Sequence, residues 1–147
     1  MPKLNIIYWT MSGNTRIMAD CLAEGAKQAG ASVQTSEVTQ ITPQDALNCD
    51  LLALGCPAMG AEALEETEFE PFFVKLLPNL AGRKLALFGS YGWGGGEWLR
   101  LWQERARQAG VNLYQHPNLA NGLAVCGRPD ANGLQLCLDF GMGFAKF

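Results

Sequence analysis

Near its start the chain reads Leu4-Asn5-Ile6-Ile7-Tyr8-Trp9-Thr10-Met11-Ser12-Gly13-Asn14-Thr15, a short apolar run followed directly by a polar turn. An apolar run of this length that ends at a turn predicts a buried strand. Apolar residues then recur at helical spacing over residues 14–29, and Gly30 is a typical helix terminator. The chain therefore opens with a strand, a turn and a helix, the unit from which parallel sheets are built.

The rest of the chain repeats this alternation. Two continuous apolar runs, 51–55 and 84–89, are typical of strands buried on both faces of a parallel sheet. A weaker strand is predicted over 33–38, and a fifth lies within 111–126. Further helices are predicted after Thr42-Pro43 and over 69–77, 97–108 and 130–146. Five strands alternating with helices predict an α/β fold, a doubly wound five-stranded parallel sheet with helices on both faces.

Length and composition fit one domain that spans residues 1–147. Of the 147 residues, 48% are hydrophobic and 17% charged, which excludes a disordered chain. The net charge of −3, without a basic run, argues against nucleic acid as a partner. No apolar run approaches the roughly 20 residues of a membrane span. The first residues lack the features of a signal peptide, so we expect a cytoplasmic protein with no membrane contact.

Cysteine and histidine usage argues against a metal site. The five cysteines are odd in number and none is spaced as Cys-x-x-Cys, so neither a disulfide framework nor a zinc site is expected. We interpret them as small buried hydrophobic residues in a reducing compartment. The one histidine, His116, precedes a proline and is expected in a surface loop.

In doubly wound sheets, ligands bind beyond the carboxyl ends of the strands, so the loops after the first, third and fourth strands are the informative ones. The first loop places three hydroxyls and one amide at a helix N-terminus, on Thr10, Ser12, Asn14 and Thr15. Short hydroxyls, backbone N–H groups and a helix dipole are what a phosphate needs. The alternative is an ordinary helix cap, which needs only one such residue and contributes about 1 kcal/mol. The loop is neither a Walker loop nor a dinucleotide fingerprint.

The third loop reads Gly89-Ser90-Tyr91-Gly92-Trp93-Gly94-Gly95-Gly96-Glu97-Trp98. Two aromatic residues, Tyr91 and Trp93, stand among its glycines. Large rings on a glycine loop are exposed unless a flat ligand covers them, which suggests an aromatic ligand. The alternative is that both rings pack on the protein's own core.

Four motifs in order together resemble the short-chain flavodoxins of anaerobic bacteria. They are Tyr-Trp-Thr-Met-Ser-Gly-Asn-Thr at 8–15, Leu-Gly-Cys-Pro-Ala-Met-Gly at 54–60, Glu-Pro-Phe-Phe at 70–73 and Phe-Gly-Ser-Tyr-Gly-Trp-Gly at 88–94. The resemblance implies strand order 2-1-3-4-5 and one non-covalently bound FMN. It also implies a low-potential one-electron carrier, not an enzyme, that shuttles electrons between redox enzymes through a stabilised neutral semiquinone. Partners would dock transiently near the exposed flavin edge, and the chain would be a monomer.

The same resemblance implies roles for individual residues. Trp93 would stack on the outer flavin face and Met59 on the inner face, while the Gly60 carbonyl would turn toward N5 and Glu62 would accept the N3 proton. Phosphate ligands would be Thr10, Ser12, Asn14, Thr15 and Ser90. The remaining expected cofactor contacts are Met11, Gly13, Ala58, Tyr91, Gly92 and Gly94.

Some features depart from the family pattern or concern its charge. Met11, Ser12, Ala61 and Gly127-Arg128 replace residues that are more usual there, and the net charge is mild, which affects the electrostatics of docking more than FMN binding. Glutamates stand at 62, 65, 66, 68 and 70. We interpret most of them as a solvated acidic face, although each carboxylate near the flavin would lower its second reduction potential by several tens of millivolts.

Other functions remain open at this stage. The chain could be a flavodoxin-like quinone or flavin reductase, or a dedicated activator of one metalloenzyme. A receiver domain of the same topology is excluded, because it needs aspartates where this chain has Thr10, Met11, Cys56 and Pro57.

Overall fold

Six parallel strands form one sheet in the computed structural model, which describes residues 1–119 and 122–147. The sheet has the order β2-β1-β3-β4-β5, with β6 also paired to β4, so the predicted order is confirmed. Every pairing is parallel. The strands are β1 (Lys3–Tyr8), β2 (Ser32–Glu37), β3 (Leu51–Gly55), β4 (Lys84–Tyr91), β5 (Asn112–Leu113) and β6 (Leu123–Cys126).

The fifth position of the sheet is divided between two short strands. β5 pairs with the start of β4, and β6 pairs with the segment from Phe88 to Tyr91. Pro117, which lacks a backbone N–H, lies between them, and Gly122 precedes β6 with a φ of 78°. Ala120 and Asn121 belong to the predicted strand region but lie outside the described residues. β4 extends two residues beyond its prediction because its last residues pair with β6.

Helices cover both faces of the sheet, as predicted. α1 and α5 pack on one face, around Met18, Leu22 and Phe140, and α3 and α4 pack on the other, around Phe73 and Trp102. Observed ends lie within about two residues of the predicted ones, as is usual for helix boundaries. The helices are α1 (Asn14–Gln28), α2 (Pro43–Ala46), α3 (Phe69–Leu76), α4 (Glu97–Gln108) and α5 (Ala131–Ala145), with 3₁₀ turns at Val38–Gln40 and Leu77–Asn79.

The cysteines and the histidine follow the predictions in part. All five cysteines are free. Cys56 and Cys137 are buried, and burial raises the pKa of each thiol to about 12. Cys126 is exposed at the end of β6, so the prediction of a buried residue is wrong there. His116 lies in a loop, half-buried, where its Nδ1 accepts the Asn118 N–H at 3.1 Å. No helix among residues 1–119 and 122–147 is long and apolar enough to cross a membrane.

Two glycines let α1 and α5 approach each other closely. A Cβ on Gly25 would overlap the Leu138 carbonyl oxygen, and a Cβ on Gly141 would overlap the Leu22 carbonyl oxygen. The helical cost of Gly141, about 1 kcal/mol relative to alanine, is therefore offset by backbone contact between the helices. This contact fixes α1 against the sheet and with it the loop that begins α1.

We expect Gly141→Ala to lower the free energy of unfolding by about 1–3 kcal/mol, because the new methyl group must push two helix backbones apart. Urea unfolding followed by circular dichroism measures the change. Gly95→Ala is the control, since a Cβ there meets nothing within 4 Å and its φ lies outside the left-handed region. A Gly141→Ala protein as stable as the wild type would show that the helix contact is loose.

Candidate functional site

Three loops meet at the carboxyl end of the sheet, where β1 and β3 end level with Phe88 of β4 and β4 continues to Tyr91. They surround a cleft of about 190 Å³. Ten predicted contacts line it: Thr10, Met11, Ser12, Asn14, Thr15, Ala58, Met59, Ser90, Tyr91 and Gly92. Pro57 and Gly127 also line it and were not predicted. Gly127 comes from the turn after β6, and its N–H donates to the Tyr91 carbonyl at 2.7 Å.

The helix N-terminus in the first loop is open toward the cleft. Gly13 is its N-cap residue with a φ of 95°, and no side chain among residues 1–119 and 122–147 caps the helix. The Thr10 hydroxyl instead accepts the Gly13 N–H at 3.0 Å, and the buried Thr15 hydroxyl shares a hydrogen bond of 3.1 Å with Ser90. The ordinary helix-cap interpretation is therefore not supported. Hydroxyls converge on an uncapped, positive helix end with no acidic residue in its first turn, which suits a phosphate.

The second loop, which follows β3, contains a tight turn closed by two hydrogen bonds. The Met59 N–H donates to the Ala63 carbonyl at 2.8 Å, and the Ala63 N–H returns to the Met59 carbonyl at 3.0 Å. Gly60 has a φ of 50° and Glu62 a φ of 57°, and the left-handed region is unusual for a glutamate. Gly60 is exposed, with nothing within 4 Å of the place of a Cβ. The turn is thus strained at Glu62 and exposed to solvent at Gly60.

The two aromatic residues of the third loop behave differently. Trp93 is 72% exposed, so it does not pack on the core. Tyr91 is half-buried, and its ring lies 5.6 Å from the Trp98 ring, centroid to centroid. The core-packing alternative therefore holds for Tyr91 and is wrong for Trp93. Five predicted contacts flank the cleft without lining it: Gly13, Gly60, Glu62, Trp93 and Gly94.

Four of the five glutamates make internal contacts, but only Glu65 is buried, so the prediction of a solvated acidic face is wrong for that residue. Glu62 accepts the Trp98 N–H at 2.7 Å, and Glu68 accepts the Trp9 indole N–H at 3.0 Å. Glu70 makes a bidentate ion pair with Arg105, with both N–O distances 2.7 Å. The spacing of the glutamates does not reveal these partners, because Trp9, Trp98 and Arg105 all come from other parts of the chain.

Glu65 has the most strongly perturbed carboxyl group of this run. Burial alone would raise its pKa, but the Thr67 hydroxyl and the N–H groups of Phe69, Thr67 and Glu68 hold the ionised form and lower the pKa to about 2. The carboxylate thus satisfies N–H groups at the start of α3. Glu65 is the main residue that the sequence analysis missed, and its position just before a helix was the available signal.

Comparison with known proteins agrees with this geometry. The sequence profile of the flavodoxin family matches residues 6–141. The chain belongs to the flavodoxin family. The flavodoxin of Clostridium beijerinckii is 42% identical over 143 residues, 97% of this chain and 99% of that protein. The flavodoxin of Megasphaera elsdenii is 44% identical over 143 residues, 97% and 98% of the two chains. The solution structure of two-electron reduced Megasphaera elsdenii flavodoxin superposes with a TM-score of 0.83 at 36% identity, covering 98% of this chain and 99% of that one.

Family membership makes the chain an FMN-binding electron-transfer protein rather than an enzyme. The flavodoxin cofactor suits the donors found here. The uncapped start of α1 can receive the phosphate, and the glycine loop with the exposed Trp93 leaves room for a flat ring system. Among the described residues, no group of His, Cys, Asp and Glu side chains could hold a metal ion.

We expect the ionised Glu65 to make the free energy of unfolding depend on pH. Its folded pKa of about 2 lies below an unfolded value near 4.5, so its contribution is complete above about pH 4.5 and is lost as the pH falls toward 2. The contribution is about 3 kcal/mol. Urea unfolding at pH 6 and pH 3 measures the roughly 2 kcal/mol of it that is lost above pH 3. Glu65→Gln should be less stable at pH 6 and should lose less stability on acidification, whereas Glu66→Gln, at an exposed position, serves as the control. Equal acid sensitivity of Glu65→Gln and wild type would contradict this role.

Proposed function

We propose that the chain carries single electrons at low potential between redox enzymes, using one FMN held non-covalently in the cleft between the three loops. The observation that carries the proposal is the uncapped N-terminus of α1, which faces a cleft lined by hydroxyls and glycines beside an exposed tryptophan. The flavin, when bound, supplies the exchange of one electron at a time. The chain's residues bind it, orient it and set its potentials.

The phosphate side of the proposed site is built on the start of α1. Backbone N–H groups and the positive helix end attract the anion, and short hydroxyls complete its hydrogen bonds. The proposed ligands are Thr10, Ser12, Asn14, Thr15 and Ser90, with Met11 and Gly13 as backbone contacts. The hydrogen bond between Thr15 and Ser90 supports this proposal, because it joins the first loop to the end of β4.

The ring side of the proposed site lies between the second and third loops. Met59, with Ala58 beside it, would contact the inner flavin face, and Trp93 would stack on the outer face. Gly60, in the left-handed region and free of neighbours, would offer its carbonyl to N5, and Glu62 would accept the N3 proton. Tyr91, Gly92 and Gly94 would border the ring edge, where glycines allow the backbone to approach closely.

Buried and fixed charges would lower the flavin's potential. A carboxylate about 10 Å from the ring opposes an added negative charge by roughly 1–2 kcal/mol at an effective dielectric near 20. Glu65 is held ionised by its hydrogen bonds, so its charge persists across the physiological pH range. With about 59 mV per 1.4 kcal/mol, a carboxylate at that distance would lower the second reduction potential by several tens of millivolts. Separation of the two one-electron steps by the Gly60 turn is part of the same proposal.

Partners of the proposed carrier would dock transiently at the cleft mouth, where the flavin edge would be exposed. Met11 and Trp93, 69% and 72% exposed, are the large apolar side chains beside it. We propose redox enzymes as partners, a monomeric state and a cytoplasmic location. The five free cysteines support a reducing compartment.

The proposal predicts one FMN per chain, bound far more tightly than riboflavin. Several charge-assisted hydrogen bonds to the phosphate, each contributing about 1.5–3 kcal/mol, should make the affinities differ by at least about 100-fold. Fluorescence titration of the FMN-free protein with each flavin measures this ratio. Absorbance spectra during stepwise reduction should show two one-electron steps. Equal affinities, or a single two-electron step, would refute the proposed carrier.

We expect Trp93→Ala to weaken FMN binding and to raise the second reduction potential. Loss of ring stacking removes about 0.5–1.5 kcal/mol beyond the buried area, and water then reaches the flavin. Redox titration should show the lower potential rising by several tens of millivolts, and flavin fluorescence should recover without the indole. The Trp93 ring is 72% exposed and does not pack on the core, so the thermal stability of the protein measured without FMN should not change. Unchanged fluorescence and potential would place Trp93 away from the flavin.

A further inference from the structure

Trp98 joins the second loop to the start of α4 through both of its N–H groups. Its backbone N–H donates to Glu62 Oε2 at 2.7 Å, and its indole N–H donates to the Cys56 carbonyl at 3.1 Å. The side chain is 1% exposed. The backbone N–H lies in the first turn of α4, where no intrahelical acceptor exists, so Glu62 supplies the missing partner.

Two glycines of the neighbouring strand and loop make room for these contacts. A Cβ on Gly89 would overlap the Cys56 carbonyl oxygen and come within 3.0 Å of Trp98 Cζ2. A Cβ on Gly94 would overlap Glu62 Oε1. The Glu62 carboxylate therefore lies close to the Gly94 backbone of the third loop while it accepts the Trp98 N–H at the start of α4.

Backbone strain marks Glu62 as a constrained residue. It is the only non-glycine residue with a positive φ among residues 1–119 and 122–147. A glutamate stays in that region only where its surroundings impose it, and such strain is concentrated at functional sites. Attraction between the Glu62 carboxylate and the positive end of α4 stabilises this backbone conformation.

We propose that Glu62 is a positioning residue whose carboxylate fastens the turn 59–63 to the N-terminus of α4 and so presets the ring side of the cleft before any flavin binds. We call this set of contacts, made by Glu62, Trp98 and Cys56, the Trp98 clamp. The clamp consists of contacts within the protein, so only its effect on flavin binding rests on the proposed function. Loops that are already ordered lose less entropy on binding, so the clamp raises affinity without touching the ligand.

This role differs from a contact to the flavin N3 proton, which exists only in the complex. If Glu62 acted on N3 alone, its removal would leave the FMN-free protein unchanged. If the clamp holds, removal loosens the second and third loops in the FMN-free protein, and it weakens binding even of a flavin that has no N3 proton.

Three variants separate these roles. Glu62→Ala removes the acceptor but keeps a Cβ on the strained backbone. Glu62→Gln keeps an oxygen acceptor for the Trp98 N–H and should rescue the clamp. Glu66→Ala makes the same change of charge at an exposed position four residues later and is the matched control.

Hydrogen exchange of the Trp98 amide in the FMN-free protein is the first measurement. We expect exchange at least tenfold faster in Glu62→Ala than in wild type, with Glu62→Gln and Glu66→Ala close to wild type. Circular dichroism checks that each variant is folded, and if Glu62→Ala does not fold, Glu62→Asp, whose carboxylate is one methylene too short to reach, replaces it. Equal exchange rates in all variants would overturn the clamp, whether or not the chain binds FMN.

Binding of FMN and of N3-methylated FMN is the second measurement. Glu62→Ala should weaken binding of N3-methylated FMN by at least about fivefold, because that loss lies in the protein, and it should weaken binding of FMN at least as much, because the proposed N3 contact is lost as well. Glu62→Gln should recover most of the affinity. An affinity for the methylated flavin that is the same in wild type and Glu62→Ala would show that Glu62 acts through N3 alone and would overturn the proposed presetting.

Discussion

Parallel pairing of β1 with β3 and of β3 with β4 is the constraint on which the site depends. Tyr8 lies opposite Gly55, and Gly55 lies opposite Phe88, so three strands end at one edge of the sheet. Each strand then passes directly into a loop, so the three loops lie next to one another at this edge. The helices between them fix the spacing, and the backbone contact of α1 with α5 at Gly25 and Gly141 sets where the phosphate loop begins.

Two glutamates of the run 62–70 complete backbone hydrogen bonds at helix N-termini. Glu65 satisfies N–H groups at the start of α3, and Glu62 satisfies one at the start of α4. The start of α1 is left without a side-chain cap. Two helix N-termini near the cleft thus carry the protein's own carboxylates, while the third is available to an external anion. This contrast explains in electrostatic terms why a phosphate would bind at the start of α1 rather than at the start of α3 or α4.

The sequence predicts those features that depend on one local pattern. The buried strands 51–55 and 84–89 follow from apolar runs, and the place of the first loop in the cleft follows from its position after β1. The divided fifth strand was not predictable, because its two parts are defined by pairing with β4 rather than by their own composition. The partners of Glu68 and Glu70 were missed for the same reason, since Trp9 and Arg105 come from distant parts of the chain. Close-approach glycines such as Gly89 read as turn residues in sequence, yet their role is to admit a neighbouring backbone.

The two sides of the cleft differ in how far the chain itself has ordered them. Hydrogen bonds link Thr15 to Ser90 on the proposed phosphate side and Trp98 to Glu62 and Cys56 on the proposed ring side, so contacts within the protein hold both walls. Trp93 makes no such hydrogen bond within residues 1–119 and 122–147, and its side chain is 72% exposed. Affinity should therefore depend mainly on the ordered walls, whose entropy is already lost. Potential should depend more on Trp93, because the ring that excludes water from the flavin determines how easily the flavin accepts a negative charge.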